Sequence, residues 1–174
     1  MTNAAIQSLS KEALLELIDI YAKNWLAMDG VWFQSIEKKF GMDEAIEHDE
    51  NAWRQFTVIE ANRIKGFLGL PERSGIDGLK KALSLRMYAN INVDEIIIED
   101  NTLIYRTLDC RVQNARKRKR MPFHPCKSVG IIEYSDFAKT IDDRFECEAL
   151  SCFPDITDET CNCSWKFTLS DPKL

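Results

Sequence analysis

The sequence predicts an α+β protein in which a helical N-terminal half packs on a mainly antiparallel sheet from the C-terminal half. Apolar residues recur at helical spacing through residues 1–91, whereas residues 92–174 change to the two-residue alternation of strands. No repeat, low-complexity linker or shift in composition divides the chain. Its 174 residues are therefore expected to form a single domain, 1–174.

The first half is predicted to contain four helices, at about residues 10–29, 31–40, 43–67 and 74–90. Ser10 is a suitable N-cap for the first helix, which is expected to pause at Asp29 and Gly30. Asp43 is expected to cap the third. All four should therefore precede the sheet in the chain.

The second half is predicted to supply four strands, at residues 95–99, 102–112, 145–152 and 161–170, with a helix at residues 127–141. Asp100 and Asn101 fit the turn of a hairpin between the first two strands. In the last strand, Cys161, Cys163 and Trp165 alternate with polar residues. They are therefore expected to share the inward face.

Composition predicts a cytoplasmic protein that does not enter a membrane. No apolar run reaches the ~18 residues of a membrane span, and residues 1–4 do not begin a signal peptide. The net charge of −5 argues against general affinity for nucleic acid. In a reducing compartment the six cysteines are expected to be buried thiols, metal ligands or a reactive thiol rather than disulfides.

Three charged residues of the third helix, Asp49, Glu60 and Arg63, fall within its apolar arc. Buried charges need partners, and Glu60 and Arg63 are spaced to pair with each other. One interpretation is an internal salt bridge together with a hydrogen-bonded aspartate. The other is a ligand pocket, in which Arg63 holds a carboxylate and Asp49 or Glu60 acts as a general base.

The cysteines all lie in the last 65 residues of the chain, at positions 110, 126, 147, 152, 161 and 163. None forms a C-x-x-C pair, so no local zinc motif is present. Taken singly, each is expected to pack in the core, since free cysteine is among the most buried residue types. Taken jointly, several strands could bring them together as ligands of zinc or an iron–sulfur cluster.

Cys126 differs from the other cysteines because it follows Pro125 and precedes a predicted helix. A helix N-terminus, Lys127 and His124 would each favour its thiolate form. The segment is either a constrained reactive site or an ordinary proline-containing loop.

A basic run at residues 116–120 stands out in this acidic chain. It could bind an anion or dock an acidic partner, or it could be a solvated helix face. No aromatic residues are interleaved with it, so nucleic acid is not the expected partner.

Several short motifs resemble an uncharacterised prokaryotic family labelled only "cytosolic protein". They are Asp29-Gly30-Val31-Trp32-Phe33, Glu37-x-x-Phe40-Gly41-Met42, Glu60-Ala61-x-Arg63-Ile64-Lys65, Cys110-Arg111-Val112-Gln113, Phe123-x-Pro125-Cys126-Lys127-x-Val129-Gly130, Glu133-Tyr134 and Cys163-x-Trp165-x-Phe167. More distantly, the chain is similar to L-2-amino-thiazoline-4-carboxylic acid hydrolase-like proteins and to vinyl-reductase-type ligand-binding domains. The related pattern Cys-Pro-Pro-Asp is here Cys152-Phe153-Pro154-Asp155.

The resemblance implies an α+β domain with cysteines near a small-molecule site, and three functional hypotheses follow from it and from the residues. The first is a small-molecule- or metal-binding protein centred on Cys110, Cys126, Cys152 and Cys163. The second is a hydrolase of a small amino- or thiazoline-type carboxylate, with Cys126, Glu60 and Asp49 as catalytic residues and Arg63, Trp32 and His124 binding substrate. The third is an interaction protein that uses residues 116–120. A homodimer is compatible with each hypothesis.

Overall fold

The predicted α+β architecture is present in the computed structural model, which describes residues 3–170. Its helices are α1 (Ala4–Gln7), α2 (Lys11–Phe40), α3 (Met42–Leu68), α4 (Gly75–Leu83), α5 (Arg111–Arg118) and α6 (Lys127–Ile141), with a 3-10 turn at Met87–Asn90. Its strands are β1 (Val93–Glu99), β2 (Thr102–Asp109), β3 (Phe145–Cys152) and β4 (Cys163–Leu169). None of the helices within residues 3–170 is long and apolar enough to cross a membrane.

The four strands form one antiparallel sheet in the order β1-β2-β4-β3. The predicted hairpin joins β1 to β2, and Asp100 at its turn has a positive φ of 51°. Helices α3, α4 and α6 cover one face of the sheet, where their apolar side chains meet those of β2 and β4. This core buries several large apolar side chains completely, among them Phe137 and Trp165.

Helix α6 lies very close to the sheet at Gly130. A Cβ added there would stand 2.5 Å from the indole ring of Trp165 on β4. Only glycine therefore permits this spacing, which brings the first turn of α6 down onto the end of the sheet.

The pause predicted at Asp29 and Gly30 is absent, because α2 is continuous to Phe40. A glycine inside a helix costs only about 1 kcal/mol relative to alanine. The packing of α2 on α3 exceeds that cost, and it includes the stacking of Trp25 on Phe56 at 5.4 Å between ring centroids. The helix ends instead at Gly41, which has a φ of 97° and, in place of the predicted Asp43, is the N-cap residue of α3.

Three other predicted elements are shorter than expected. The last strand begins at Cys163, so Cys161 lies in the bend before it, although it is buried as predicted. The fourth helix ends at Leu83, because the backbone of Arg86 is extended and its side chain turns into the core. Strand β2 ends at Asp109, so Val112 belongs to α5 rather than to the strand. The side chain of Asn162 accepts a hydrogen bond from the backbone N–H of Cys110 and thereby fixes the start of α5.

Candidate functional site

A cavity of about 350 Å³ opens where α2, α3, α5 and α6 meet the ends of β2, β3 and β4. Its lining is mostly apolar, but several groups with acid–base or nucleophilic chemistry converge on it. These groups include Asp29, Asp49, His124, Cys126, Glu133 and Cys152.

Cys126 stands at the N-cap of α6, as the sequence predicted. Its Sγ lies 3.5 Å from Sγ of Cys152, the last residue of β3. The Cys152 thiol hydrogen-bonds to it and, against the opposing effect of burial and with help from His124, brings the pKa of Cys126 down to about 5. This shift favours the thiolate of Cys126, the nucleophilic form of cysteine.

His124 lies between Cys126 and a carboxylate. Its Nε2 is 3.2 Å from Oδ2 of Asp49 on α3, and both side chains are nearly buried. Burial works against the charged imidazolium, but Asp49 and Cys126 outweigh it and raise the pKa of His124 to about 9. Cys126, His124 and Asp49 thus form a thiolate–imidazolium–carboxylate series, the arrangement that activates cysteine nucleophiles.

The second ring nitrogen of His124 is available for chemistry. Nδ1 is buried and has no hydrogen-bond partner within residues 3–170. The ring is also held against Phe33 of α2, at 4.6 Å between centroids. A histidine with one nitrogen on a carboxylate and the other unpaired is arranged as a proton donor and acceptor.

The loop that carries His124 is held by Gln113 of α5. The Gln113 amide donates to the backbone carbonyl of His124 and accepts from its N–H, at 2.8 Å and 3.1 Å. The same Nε2 lies 3.6 Å from Sγ of Cys126. Gln113 therefore fixes both reactive residues and places an N–H donor beside the sulfur.

Two further carboxyl groups of the cavity bind protons more tightly than usual. Burial, reinforced by the nearby charge of Asp49, raises the pKa of Asp29 to about 6. Burial also raises the pKa of Glu133 to about 7, although Arg86 opposes the shift. Both can hold or release a proton near neutral pH.

The four cysteines that were predicted to approach one another all line this cavity. Cys152 and Cys163 are partners across β3 and β4, and Cys163 accepts a hydrogen bond from Nε1 of Trp165. Within residues 3–170, however, no three His, Cys, Asp or Glu side chains are grouped so as to hold a metal ion. Binding of zinc or an iron–sulfur cluster by these thiols therefore stays a prediction without a supporting arrangement.

The basic run contributes to the cavity in an unexpected way. Arg116 is buried and forms a two-pronged ion pair with Glu37 of α2, at 2.6 Å and 2.9 Å. Arg118 and Lys119 line the cavity together with Arg111. The basic run, for which a solvated helix face was one interpretation, thus contains one buried residue that pairs with α2 and two that line the cavity. Arg111, Arg118 and Lys119 together are called the cationic wall of the cavity.

Three residues predicted for the site lie elsewhere. Glu60 is buried, but its partner is Arg86 at 2.9 Å rather than Arg63, which is exposed on α3. The pairing predicted between Glu60 and Arg63 is wrong because Arg86 reaches the same carboxylate from the segment after α4. Trp32 is 65% exposed on α2. None of the three lines the cavity.

Sequence reasoning from charge and periodicity missed Gln113, Asp29 and Phe33. All three stand in the short motifs that carried the family resemblance, at residues 29–33 and 110–113. The motifs at residues 123–130 and 163–167 also reach the cavity. Residues of these four motifs line the same cavity. The motifs taken as a group, rather than the spacing within any one of them, could therefore have located the site.

Comparison with known proteins gives a family but no activity. The model of a family of unknown function, DUF6125, matches residues 7–169, so the chain belongs to that family. A search of curated proteins found no match to the chain. The similarity to L-2-amino-thiazoline-4-carboxylic acid hydrolases therefore has no curated relative in its support.

Proposed function

We propose that this protein is a cysteine-dependent hydrolase that cleaves a carbon–nitrogen bond in a small amino- or thiazoline-type carboxylate. The observation that carries the proposal is the series Cys126, His124 and Asp49 inside a closed-in cavity. A nucleophile, a base and a group that orients the base are the parts that acyl transfer through cysteine requires.

In the first step, Sγ of Cys126 attacks the electrophilic carbon and the carbon–nitrogen bond breaks. The imidazolium of His124 gives its proton to the departing nitrogen, which leaves as an amine. In the second step, His124 takes a proton from water, which attacks the same carbon and releases Sγ as thiolate. Asp49 orients the histidine through both steps and stabilises its charged form before the first and after the second, and the Gln113 amide can donate to the oxyanion beside the sulfur.

Recognition of a carboxylate is supported by the cationic wall of the cavity. Arg111 and Arg118 line it from α5, the helix that also carries Gln113. Arginine binds carboxylates in a two-pronged geometry. These residues replace Arg63, which was expected to anchor the substrate.

The test begins with the reactivity of the thiol. Iodoacetamide labelling of Cys126 from pH 5 to pH 9 should follow an apparent pKa well below the free-cysteine value of about 8.5. The control is Cys147→Ser, because Cys147 lies outside this cavity and burial raises its pKa to about 12. Labelling of Cys126 at pH 6 no faster than in the denatured chain would contradict the proposal.

The second part of the test is turnover. Small amides and amidines that bear a carboxylate, among them 2-amino-thiazoline-4-carboxylate, should be hydrolysed by the parent protein and by Cys147→Ser but not by Cys126→Ser. Mass spectrometry should find an acyl adduct on Cys126 during turnover. Equal hydrolysis by Cys126→Ser and the parent would exclude a nucleophilic role for this residue.

A further inference from the structure

We propose that Cys126 and Cys152 also form a two-electron redox centre, which reduces a hydroperoxide and closes to a disulfide. This activity differs from hydrolysis in the bonds it breaks and uses a second residue, Cys152, as a reactant rather than only as a hydrogen-bond partner of Cys126. It rests on the arrangement of the two sulfurs in the cavity.

The distance between the sulfurs is the first argument. They are 3.5 Å apart and neither is in a disulfide. A disulfide bond is about 2 Å long, so closure must shorten the separation of the two sulfurs by about 1.5 Å. The pair is therefore close enough for one cysteine to attack an oxidised form of the other.

The segments that carry the two sulfurs are joined on the side away from the cavity. The backbone N–H of Lys127 donates to the carbonyl of Phe153 at 3.0 Å, and Nζ of Lys127 pairs with Asp155 at 2.7 Å. The rings of Phe123 and Phe153 also meet, with centroids 5.3 Å apart. These contacts hold the start of α6 against the end of β3 and thereby keep the two sulfurs side by side.

The two cysteines differ in the way that a reacting and a resolving thiol must differ. Cys126 is partly exposed, stands at a helix N-terminus and has His124 beside it. Cys152 is 1% exposed, its Sγ is 3.5 Å from that of Cys126, and the neighbouring Cys126 raises its pKa and so favours its thiol form. An incoming oxidant therefore meets Cys126 first, while Cys152 lies behind it as a thiol.

The chemistry balances with a hydroperoxide as the oxidant. The Cys126 thiolate attacks the terminal oxygen, a sulfur–oxygen bond forms and the oxygen–oxygen bond breaks. The alkoxide takes the imidazolium proton of His124 and leaves as an alcohol, or as water when the oxidant is hydrogen peroxide. Cys126 is now a sulfenic acid, two electrons more oxidised than the thiol.

In the second step, Cys152 attacks the sulfur of the Cys126 sulfenic acid. The sulfur–sulfur bond forms, the sulfur–oxygen bond breaks, and hydroxide leaves with the Cys152 proton as water. One hydroperoxide and two thiols thus give one disulfide, one alcohol and one water. A dithiol from outside the protein restores the reduced pair by exchange.

Hydrogen peroxide added to the reduced, full-length protein tests this activity. The expected product is a chain that has lost two hydrogens, with a Cys126–Cys152 link in its peptide map, formed faster than any disulfide in the denatured chain. With dithiothreitol present, the protein should consume many equivalents of peroxide. Since no hydrolytic substrate is used, the result is independent of the hydrolase proposal.

Single variants separate the two roles. Cys152→Ser should stop at the sulfenic acid on Cys126, which dimedone traps, whereas Cys126→Ser should not react rapidly. Cys147→Ser should behave as the parent does, and circular dichroism should show that each variant is folded. A link between Cys152 and Cys163, or oxidation no faster than in the denatured chain, would overturn the proposal.

Discussion

Gln113 and the backbone of His124 form a closed pair of hydrogen bonds, in which the side-chain amide substitutes for a strand neighbour. Residues 121–125 belong to no helix or strand. A buried amide that satisfies both backbone groups gives this loop the fixed geometry that a catalytic residue needs. The position of His124 relative to Asp49 and Cys126 thus depends on a residue that takes no part in proton transfer.

Replacing Asp49 with Asn should weaken the thiolate of Cys126. Without the carboxylate, the pKa of His124 falls from about 9, and the imidazolium that supports the thiolate is lost near neutral pH. With the pKa of Cys126 at about 5, a rise of one unit would lower its thiolate fraction at pH 6 from about 0.9 to about 0.5 and slow its labelling about twofold. Iodoacetamide labelling measures this, with the exposed Glu47→Gln on the same helix as control. Equal rates for Asp49→Asn and the parent would show that Asp49 does not support the pair.

Replacing Asp29 with Asn should stabilise the protein at high pH only. The pKa of Asp29 is raised to about 6 by burial and by Asp49, so the folded chain holds its proton more tightly than the unfolded chain does. Such a group contributes stability below its unfolded pKa of about 4 and loses it as the pH rises through 6.

The amide side chain of the Asp29→Asn variant would remain neutral throughout that range. Urea denaturation at pH 8 should therefore show a gain of about 1–3 kcal/mol in the free energy of unfolding, and little change at pH 4. A gain of the same size at both pH values would mean that the carboxylate charge is not its cause.

Replacing Arg86 with Ala should destabilise the fold severely. Arg86 is 1% exposed and pairs with Glu60 at 2.9 Å and Glu133 at 2.6 Å. Its removal leaves two buried carboxylates without a cation, which should cost about 3–5 kcal/mol in the free energy of unfolding. Denaturant unfolding provides the measurement.

The comparison variant for Arg86 is Arg63→Ala, because Arg63 is exposed on α3. It should change the free energy of unfolding by no more than about 0.5 kcal/mol. If the two variants were equally unstable, the assignment of the buried pair to Arg86 would be wrong.

Replacing Gly130 with Ala should destabilise the protein despite the better helix propensity of alanine. The new Cβ would overlap the Trp165 ring, and overpacking of this kind costs about 1–3 kcal/mol. Gly66→Ala in α3 is the matched control, since nothing lies within 4 Å of its Cβ position. That variant should gain up to about 1 kcal/mol. Thermal or urea unfolding of both variants measures whether each substitution lowers or raises the free energy of unfolding.

The fold was predictable because its elements are set by local periodicity, and the errors occurred where tertiary contacts override local preference. The interior glycine of α2 was expected to interrupt the helix, but packing on α3 outweighs its cost. The helix after Ser74 was expected to continue to residue 90, but the inward turn of Arg86 ends it. No pattern near Arg86 reveals that its two partners lie on α3 and α6.

The site was predictable in part. The position of Cys126 at a helix start follows from Pro125 and the apolar pattern after it, so its special environment could be inferred. The partner of Asp49 could not be, because His124 reaches it from another part of the chain. Arg63, rather than Arg86, was predicted to pair with Glu60, because helical spacing identifies neighbours on one helix. It gives no information about contacts with residues of other elements.

The two sulfurs of the centre come from different layers, since Cys126 is delivered by a helix and Cys152 by the sheet. Before α6 packs against β4 at Gly130, each of the two thiols has the reactivity of an ordinary cysteine. An unfolded chain therefore has six ordinary cysteines, and the reactive one arises only when Cys126 has met His124 and Cys152. The rate at which Cys126 reacts is thus a chemical report on the completion of folding, which would let alkylation follow assembly of the protein in real time.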